Sequence, residues 1–449
     1  MTLSAEELGA QIEDRTAAGI ARAVGRLVGD STLGPGARLP PVRSLAEVLG
    51  VSPMTVSGAW KVLAADGLIS TRGRAGTVVL DPACSATHPW PRRIAALGAP
   101  VNLDLSTGGP DPALLPDLAP ALSRAGRVEL PDGYQSDAVL PRLERVLRKR
   151  WPFPPESITV VDGAGDALDR LVSLVVRRGS RVLVEDPGYP PLLDLLDAAG
   201  AEVVGLELDG EGVRPESLKQ ALEGGAVAMW VQPRAQNPTG VSMRAPRAEE
   251  LARLLGGSDL LVVEDDHSGD IATSELVSLG RWRPGATVHI SSFSKSHGPD
   301  LRLAAVGGPA RVVNALSERR LLGAGWSSRL LQHVLADLLT DPSAVAAVRA
   351  ARATYARRRR AAIRALSTRG VRTTGDDGIN LWVEVADEDR ALATLLAAGI
   401  GAARGSVFGL APPTTPHLRL TVGRLTGEVP ALADAVASAA APPLRRVTR

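Results

Sequence analysis

Between residues 5 and 29, Leu8, Ile12, Ile20, Val24 and Leu27 recur at mostly helical spacing. The stretch STLGPGARLPP then interrupts the pattern with Gly and Pro, and VRSLAEVLG predicts a short helix closed by Gly50. In VSPMTVSGAWKVLAADG, Ser52 is placed to cap a further helix and Pro53 suits its first turn. Val56, Ala59, Trp60 and Leu63 fall on one face of that helix and form its expected core. LISTRGRAGTVVL follows, with two β-prone ends around an Arg-Gly tip, the pattern of a hairpin. Helix, helix, turn, helix, hairpin is the order of a winged helix-turn-helix.

From about residue 101 the period changes. SITVVDG, RVLVEDP, AEVVGLEL, AVAMWVQP, LLVVEDD, TVHISSF and RLAAVGG read as strands, separated by amphipathic runs such as GDALDRLVSLVVRRG and RAEELARLLGG. Strands joined through helices define an α/β fold with a largely parallel sheet covered on both faces. Ligands of such sheets sit at the carboxyl ends of the strands. Between the two regions, DPACSATHPWPRRIAALGAP lacks a sustained period and is rich in Pro and Ala, which predicts an extended linker. The expected organisation is a DNA-binding domain over 1–80, a linker over 81–100 and a large domain over 101–449.

Composition narrows the partners. The 449 residues carry 51 Lys and Arg against 49 Asp and Glu, so affinity for nucleic acid must come from local patches. A single cysteine, Cys84, rules out an internal disulfide framework and suits a reducing cytoplasm. The N-terminal MTLSAEELGAQIEDR lacks the basic and then apolar order of a secretory signal, and no apolar run reaches membrane-span length. The expected location is cytoplasmic, with no membrane partner.

A helix lying in the major groove shows its first residues to base edges. Here those are Met54, Thr55 and Ser57, with Lys61 further along near phosphates. Arg43 opens the preceding helix, and Arg72 and Arg74 sit on the hairpin tip; a small helical bundle with a solvated charged face would show similar counts. LPPVRSLAEVLGVSPMTVSGAWKVLAADGLISTRGRAGTVV resembles the winged-helix domain of the GntR family of bacterial regulators over almost all of its length. The resemblance places Arg43 on the family's DNA-contacting arginine and implies double-stranded operator DNA as partner. Pro41 stands where the family usually has Ser, and Pro53 where it commonly has a DNA-touching Arg.

In the large region the cations pose a question of chemistry. Only four residues are lysines, Lys61, Lys149, Lys219 and Lys295, and one of them lies in SSFSK after a strand. Arginine stays protonated, whereas a sheltered lysine can attack a carbonyl. The other strand ends supply matching parts: Asp162-Gly-Ala-Gly-Asp-Ala167 opening a helix that can hold phosphate, Tyr189 in EDPGYP, Asn237 in NPTG, the acids Glu264, Asp265 and Asp266, then Ser292 and Arg302. Pyridoxal 5′-phosphate is a cofactor that needs all of these.

The region resembles a fold-type I, class I and II aminotransferase domain. By that resemblance Lys295 forms the internal aldimine, Asp265 pairs with the pyridine nitrogen, Asn237 bonds the ring oxygen and Tyr189 stacks on the ring. Ala164, Gly165, Ser292 and Arg302 cradle the phosphate, and Arg419 in HLRLTVGRL grips a substrate or effector carboxylate. The whole chain resembles the MocR subfamily of GntR regulators, which implies a homodimer with an amino compound or pyridoxal phosphate as effector. His267 replaces the usual tyrosine, so imidazole would have to supply the hydrogen bond to the ring oxygen. His297 and Asp300 replace small residues after the lysine, and Asp300 could compete for Arg302. GYQSDAVLPRL departs from the family's Tyr-Gly-Asp-Pro stretch at Tyr134. The principal expectation is a transcriptional regulator; an aminotransferase with a vestigial DNA-binding domain and a regulator that has lost the cofactor are the alternatives.

Overall fold

The computed structural model describes residues 4–29, 32–34, 36–65, 69–71, 76–79, 101–129, 137–411, 414–427 and 429–441. The chain forms two compact units, Met1–Arg93 and Ile94–Arg449. The expected linker over 81–100, the hairpin-tip residues Arg72 and Arg74, and Tyr134 lie outside the described residues.

In the first unit the opening amphipathic stretch is two helices, α1 (Ala5–Gly9) and α2 (Ala17–Gly29). Local hydrogen bonds explain the break: Thr16 N–H donates to Asp14 Oδ1 at 3.0 Å, and the Thr16 hydroxyl accepts from Gly19 N–H at 3.0 Å. A side-chain cap of this kind starts a new helix rather than continuing an old one. Then come β1 (Arg38–Leu39), α3 (Val42–Leu49), α4 (Pro53–Ala65), β2 (Ile69–Thr71) and β3 (Thr77–Val79). The three strands form an antiparallel sheet in the order β1-β3-β2; the two-residue β1 was not legible as a strand. Val56, Ala59, Trp60 and Leu63 are buried as the periodicity predicts, packed with Ile20, Val24, Leu45 and Ile69 in one core.

The second unit contains all seven anticipated strands. They are β5 (Ser157–Val161), β6 (Arg181–Asp186), β7 (Glu202–Asp209), β9 (Ala228–Val231), β10 (Leu261–Asp266), β11 (Thr287–Ser292) and β12 (Ala304–Gly308). With the short β8 (Gly212–Val213) they make an eight-stranded sheet ordered β5-β12-β11-β10-β9-β6-β7-β8. β11, β10, β9, β6 and β7 run parallel, while β12 and β8 are antiparallel to their neighbours. The parallel centre aligns the carboxyl ends of five strands along one edge, and there the loops of interest lie.

The C-terminal segment folds onto a separate antiparallel sheet of β13 (Thr373–Thr374), β14 (Asn380–Glu384), β17 (His417–Thr421) and β16 (Ala403–Arg404). β4 (Leu103–Asp104), near the start of this unit, pairs in parallel with β15 (Ile400–Gly401), so both ends of the unit build one lobe. Asp377 pins this lobe to the larger one. Its carboxylate accepts from Thr273 N–H and Oγ1 at 2.7 and 2.8 Å, from Ser274 N–H at 2.9 Å and from the Ser242 hydroxyl at 3.2 Å. Burial opposes its charge, but these donors hold its pKa down to about 2.

The arginine run 357–360 lies on the helix Pro342–Ser367. Arg357 and Arg360 are exposed and Arg358 pairs with Asp111 at 2.7 Å, which makes this a solvated, ion-paired face. Arg359 differs from its neighbours: it is buried, beside Asp377 at 3.9 Å.

Candidate cofactor site and DNA-facing helix

Pleating of β10 sends Asp265 to the opposite face from Glu264 and Asp266. Asp265 is buried, and its Oδ2 accepts from Gln232 Nε2 at 2.8 Å. Its Oδ1 is buried and, among the described residues, has no hydrogen-bond partner. Burial raises this carboxyl to about 6, against the Gln232 hydrogen bond and the Lys295 charge. An open, buried carboxylate oxygen calls for a donor, and a protonated ring nitrogen is such a donor.

Lys295 Nζ lies 2.7 Å from His267 Nδ1 and 3.4 Å from the His267 carbonyl. Burial lowers the amine to about 8, with Asp265 opposing the shift. His267 Nε2 lies 2.8 Å from the Ala235 carbonyl, which can only accept, so Nε2 carries the hydrogen and Nδ1 is an acceptor toward the lysine. Burial, with Lys295 as the next cause, depresses His267 to about 3 and keeps it neutral. The hydrogen bond to a ring oxygen expected of this imidazole needs a donor; the fold presents an acceptor to the lysine. It does so because the carbonyl of Ala235, a residue at φ 47°, captures the other nitrogen.

Asn237 and Arg419 meet on the same side. Asn237 Oδ1 accepts from Arg419 Nη1 at 3.1 Å and from Asn380 Nδ2 at 3.3 Å. Arg419 also donates to the Ser106 carbonyl and lies 5.1 Å from the Phe408 ring centre. Burial lowers this guanidinium to about 10, which leaves it charged at neutral pH. Tyr189, half-buried, shares a small cavity with Asp265 and Gln232; burial and then the Asp265 charge push its phenol up to about 12.

The anion cup forms where β5 ends. Gly163 at φ 99° precedes the helix Ala164–Val175, and Arg302 Nη2 donates to the Asp162 carbonyl at 3.0 Å. The positive φ favours glycine at 163, and a Cβ there would also crowd the Arg302 guanidinium at 3.1 Å. Ala164 and Gly165 form the first turn and Ser292 ends β11 nearby in the sheet. Asp300 is exposed, and among the described residues no ion pair joins it to Arg302, so the anticipated competition does not arise. His297 is buried against Phe293 and bonds the Ser296 hydroxyl, a packing role.

Sequence reasoning missed Gln232 and Glu185. Gln232 Oε1 accepts from Asn237 N–H at 2.8 Å while its Nε2 holds Asp265, so one amide positions both groups. Its own N–H donates to Glu185 Oε2 at 3.1 Å. Burial raises Glu185 to about 8. The signal was present: each is a polar residue at the carboxyl end of an apolar strand, the same cue that exposed Asp265.

On the first unit, Arg43 and Lys61 are exposed, Thr55 and Ser57 are half-buried, and Met54 is 83% exposed at the start of α4. Ser52 accepts from Thr55 N–H at 3.2 Å, confirming it as the cap. Pro41 leaves α3 without a side-chain cap. Among the described residues no cluster of His, Cys, Asp and Glu could hold a metal, and no helix is long and apolar enough to cross a membrane.

Two family models match this arrangement. Residues 101–436 match aminotransferase class I and II, and residues 16–79 match the bacterial regulatory proteins of the gntR family. The chain therefore belongs to the MocR-type regulators, GntR-family winged helices joined to an aminotransferase class I and II domain. It is 36% identical over 402 residues to the vitamin B6 salvage pathway transcriptional repressor PtsJ of Salmonella typhimurium, covering 86% of this chain and 89% of that protein. The HTH-type transcriptional regulator TauR of Rhodobacter capsulatus is 30% identical, with 83% and 85% covered. Among solved structures, Pyrococcus horikoshii kynurenine aminotransferase in complex with PMP matches at a TM-score of 0.70 and 21% identity, over 77% of this chain and 94% of that one. At that identity the likeness establishes the fold.

Proposed function

We propose that this transcriptional regulator binds pyridoxal 5′-phosphate in the large domain and adjusts its grip on operator DNA in response to the cofactor or to an amino compound that reacts with it. The observation that carries the reading is the pairing of an open, buried Asp265 oxygen with an amine at Lys295 whose pKa burial has lowered. The residues present fit the group: Asp265 for the ring nitrogen, Asn237 for the ring oxygen, Tyr189 for the ring face, and Ala164, Gly165, Ser292 and Arg302 for the phosphate. When bound, the cofactor supplies an aldehyde for the lysine and an electron-poor ring.

The chain's own groups do the rest. His267 accepts a hydrogen from Lys295 Nζ and so favours an amine held in one direction. Gln232 fixes Asp265 and Asn237 together. Arg419, held by Asn237 and Ser106, offers a bidentate grip for an effector carboxylate. For such a ligand to regulate, it must bind two arrangements of the protein with different affinity. A homodimer suits this role; Leu321 and Leu322, 67% and 86% exposed, offer apolar surface for it. Arg43, Thr55, Ser57 and Lys61, together with Arg72 and Arg74, are the proposed DNA contacts, in the cytoplasm where the operator lies.

The test is DNA binding to the gene's own upstream region, with and without pyridoxal phosphate, in the native protein and in Lys295→Ala. The native protein should form a borohydride-trappable visible band and change its DNA affinity with the cofactor, and the variant should do neither. Identical affinities in all four samples would sink the regulatory reading. The presence of Lys295 beside His267, and of Asp265, Asn237 and Arg419 in one network through Gln232, also favours a second reading, slow transamination. Conversion of the bound cofactor to its amine form by amino acids, without any change in DNA binding, would favour that one.

A further inference from the structure

Behind the cofactor face, the reverse side of β10 and β11 borders a cavity of about 210 Å³. Its lining includes Trp151, His289, Ser291 and two ion pairs, Arg234 with Asp266 at 2.6 Å and Arg150 with Asp270 at 2.5 Å. Strand alternation turns Asp266 and Ser291 this way from positions next to Asp265 and Ser292, and Ser292, at the end of β11, also borders the cavity.

Two buried atoms in this lining are unexplained. Glu264 accepts from the Ser278 hydroxyl at 2.6 Å and from Leu279 N–H at 2.7 Å, and lies 2.9 Å from His289 Nδ1. His289 therefore spends its Nδ1 hydrogen on Glu264, and Nε2 is left as an acceptor. Among the described residues that nitrogen has no hydrogen-bond partner, nor has Trp151 Nε1, a donor whose ring meets the imidazole edge-on at 5.4 Å. One unmet acceptor and one unmet donor on two rings in edge-on contact suit a hydroxyl or an amide. The four lining charges already cancel in pairs, so an ionic guest with a net charge would strand one of them and is disfavoured.

We infer that this cavity is a second ligand site, for a small net-neutral polar molecule that carries a hydroxyl or amide group. Such a site lets the regulator sense a compound that never reacts with Lys295, and it stands whether or not the cofactor reading holds. The experiment uses full-length Lys295→Ala, in which chemistry at that amine is removed, titrated calorimetrically with L-serine, L-glutamine and L-alanine. Serine or glutamine should saturate one site per chain, with alanine at least about tenfold weaker, the scale of one lost hydrogen bond. Trp151→Phe, which removes the donor and keeps a ring, should weaken binding by about tenfold, and Ser291→Val, which narrows the cavity and removes its hydroxyl, should weaken it at least as much. Circular dichroism of both variants checks that they fold. No saturable binding, binding indifferent to both variants, or crystals soaked in serine and glutamine that hold only water at His289 Nε2 would each overturn the proposal.

Discussion

Helix α4 and the end of β10 put their functional groups on opposite sides of the water boundary. On α4, Val56, Ala59, Trp60 and Leu63 build the core while Met54 and Lys61 face solvent. Folding and the proposed DNA contacts use different faces, so either can change with little effect on the other. At β10, Asp265 and Asp266 are themselves interior residues, 4% and 1% exposed. There the groups proposed for chemistry are also part of the packing, and each depends on a named partner. The lesson is that an exposed residue of the first unit can be exchanged by itself, whereas exchanging a buried polar residue of the second leaves its hydrogen-bond partners unmet.

The sharpest way to break this contrast is to attack the core of α4. Trp60→Ala should cost about 3–5 kcal/mol, enough to unfold the first unit while leaving the second folded. Two transitions in a urea melt, only the first of them shifted, would show it; a single shifted transition would mean that the units fold as one. Next in size is Gln232→Leu, which strands Asp265 Oδ2 and the Asn237 N–H together. About 2–4 kcal/mol is expected from two unmet buried groups. Thermal melts should register the loss, and the affinity for pyridoxal phosphate should fall with it. Gln232→Glu, which keeps an acceptor for Asn237, should rescue the stability only in part because it sets one carboxyl against another.

Asp377 makes the second unit acid-sensitive. Its pKa is depressed from 3.8 to about 2, so the unfolded chain binds its proton first as pH falls. The stabilisation, about 2 kcal/mol, is fully present above pH 4 and is lost as pH drops through 2. Asp377→Asn should flatten stability against pH across that window, as measured by denaturant melts. Smallest is Arg43→Ala, where one exposed contact is removed: about 1–2 kcal/mol of DNA affinity and a salt slope shallower by about one, with no change in melting. A large loss of stability in this variant would mean that the exposed face of α3, which carries Arg43, is not separable from the core.

Much of the fold was legible because periodicity reports burial. All seven long strands were visible as apolar runs, and Ser52, Pro53 and Gly50 marked helix ends through local backbone chemistry. The division of residues 5–29 was not visible, because Leu8 to Leu27 keep an apolar spacing across a break that Asp14 and Thr16 create by hydrogen bonding. Asp265 and Lys295 stood out as polar groups at the ends of buried strands. Gln232 and Glu185 carried the same mark and passed unnoticed, because an amide has no chemistry of its own until its partners are known.

The order of residues alone determined the two domain types, the strand ends from which the site is built, and the presence of a lysine where arginine would be chemically inert. Tertiary structure decided which atoms are donors and which acceptors. The acceptor at His267 Nδ1 exists because the carbonyl of Ala235, thirty-two residues away, holds Nε2, and the open oxygen of Asp265 exists because Gln232 occupies the other one. Hydrogen-bond polarity in a dry interior is set by whatever the fold brings within 3 Å, and linear spacing contains no record of that distance.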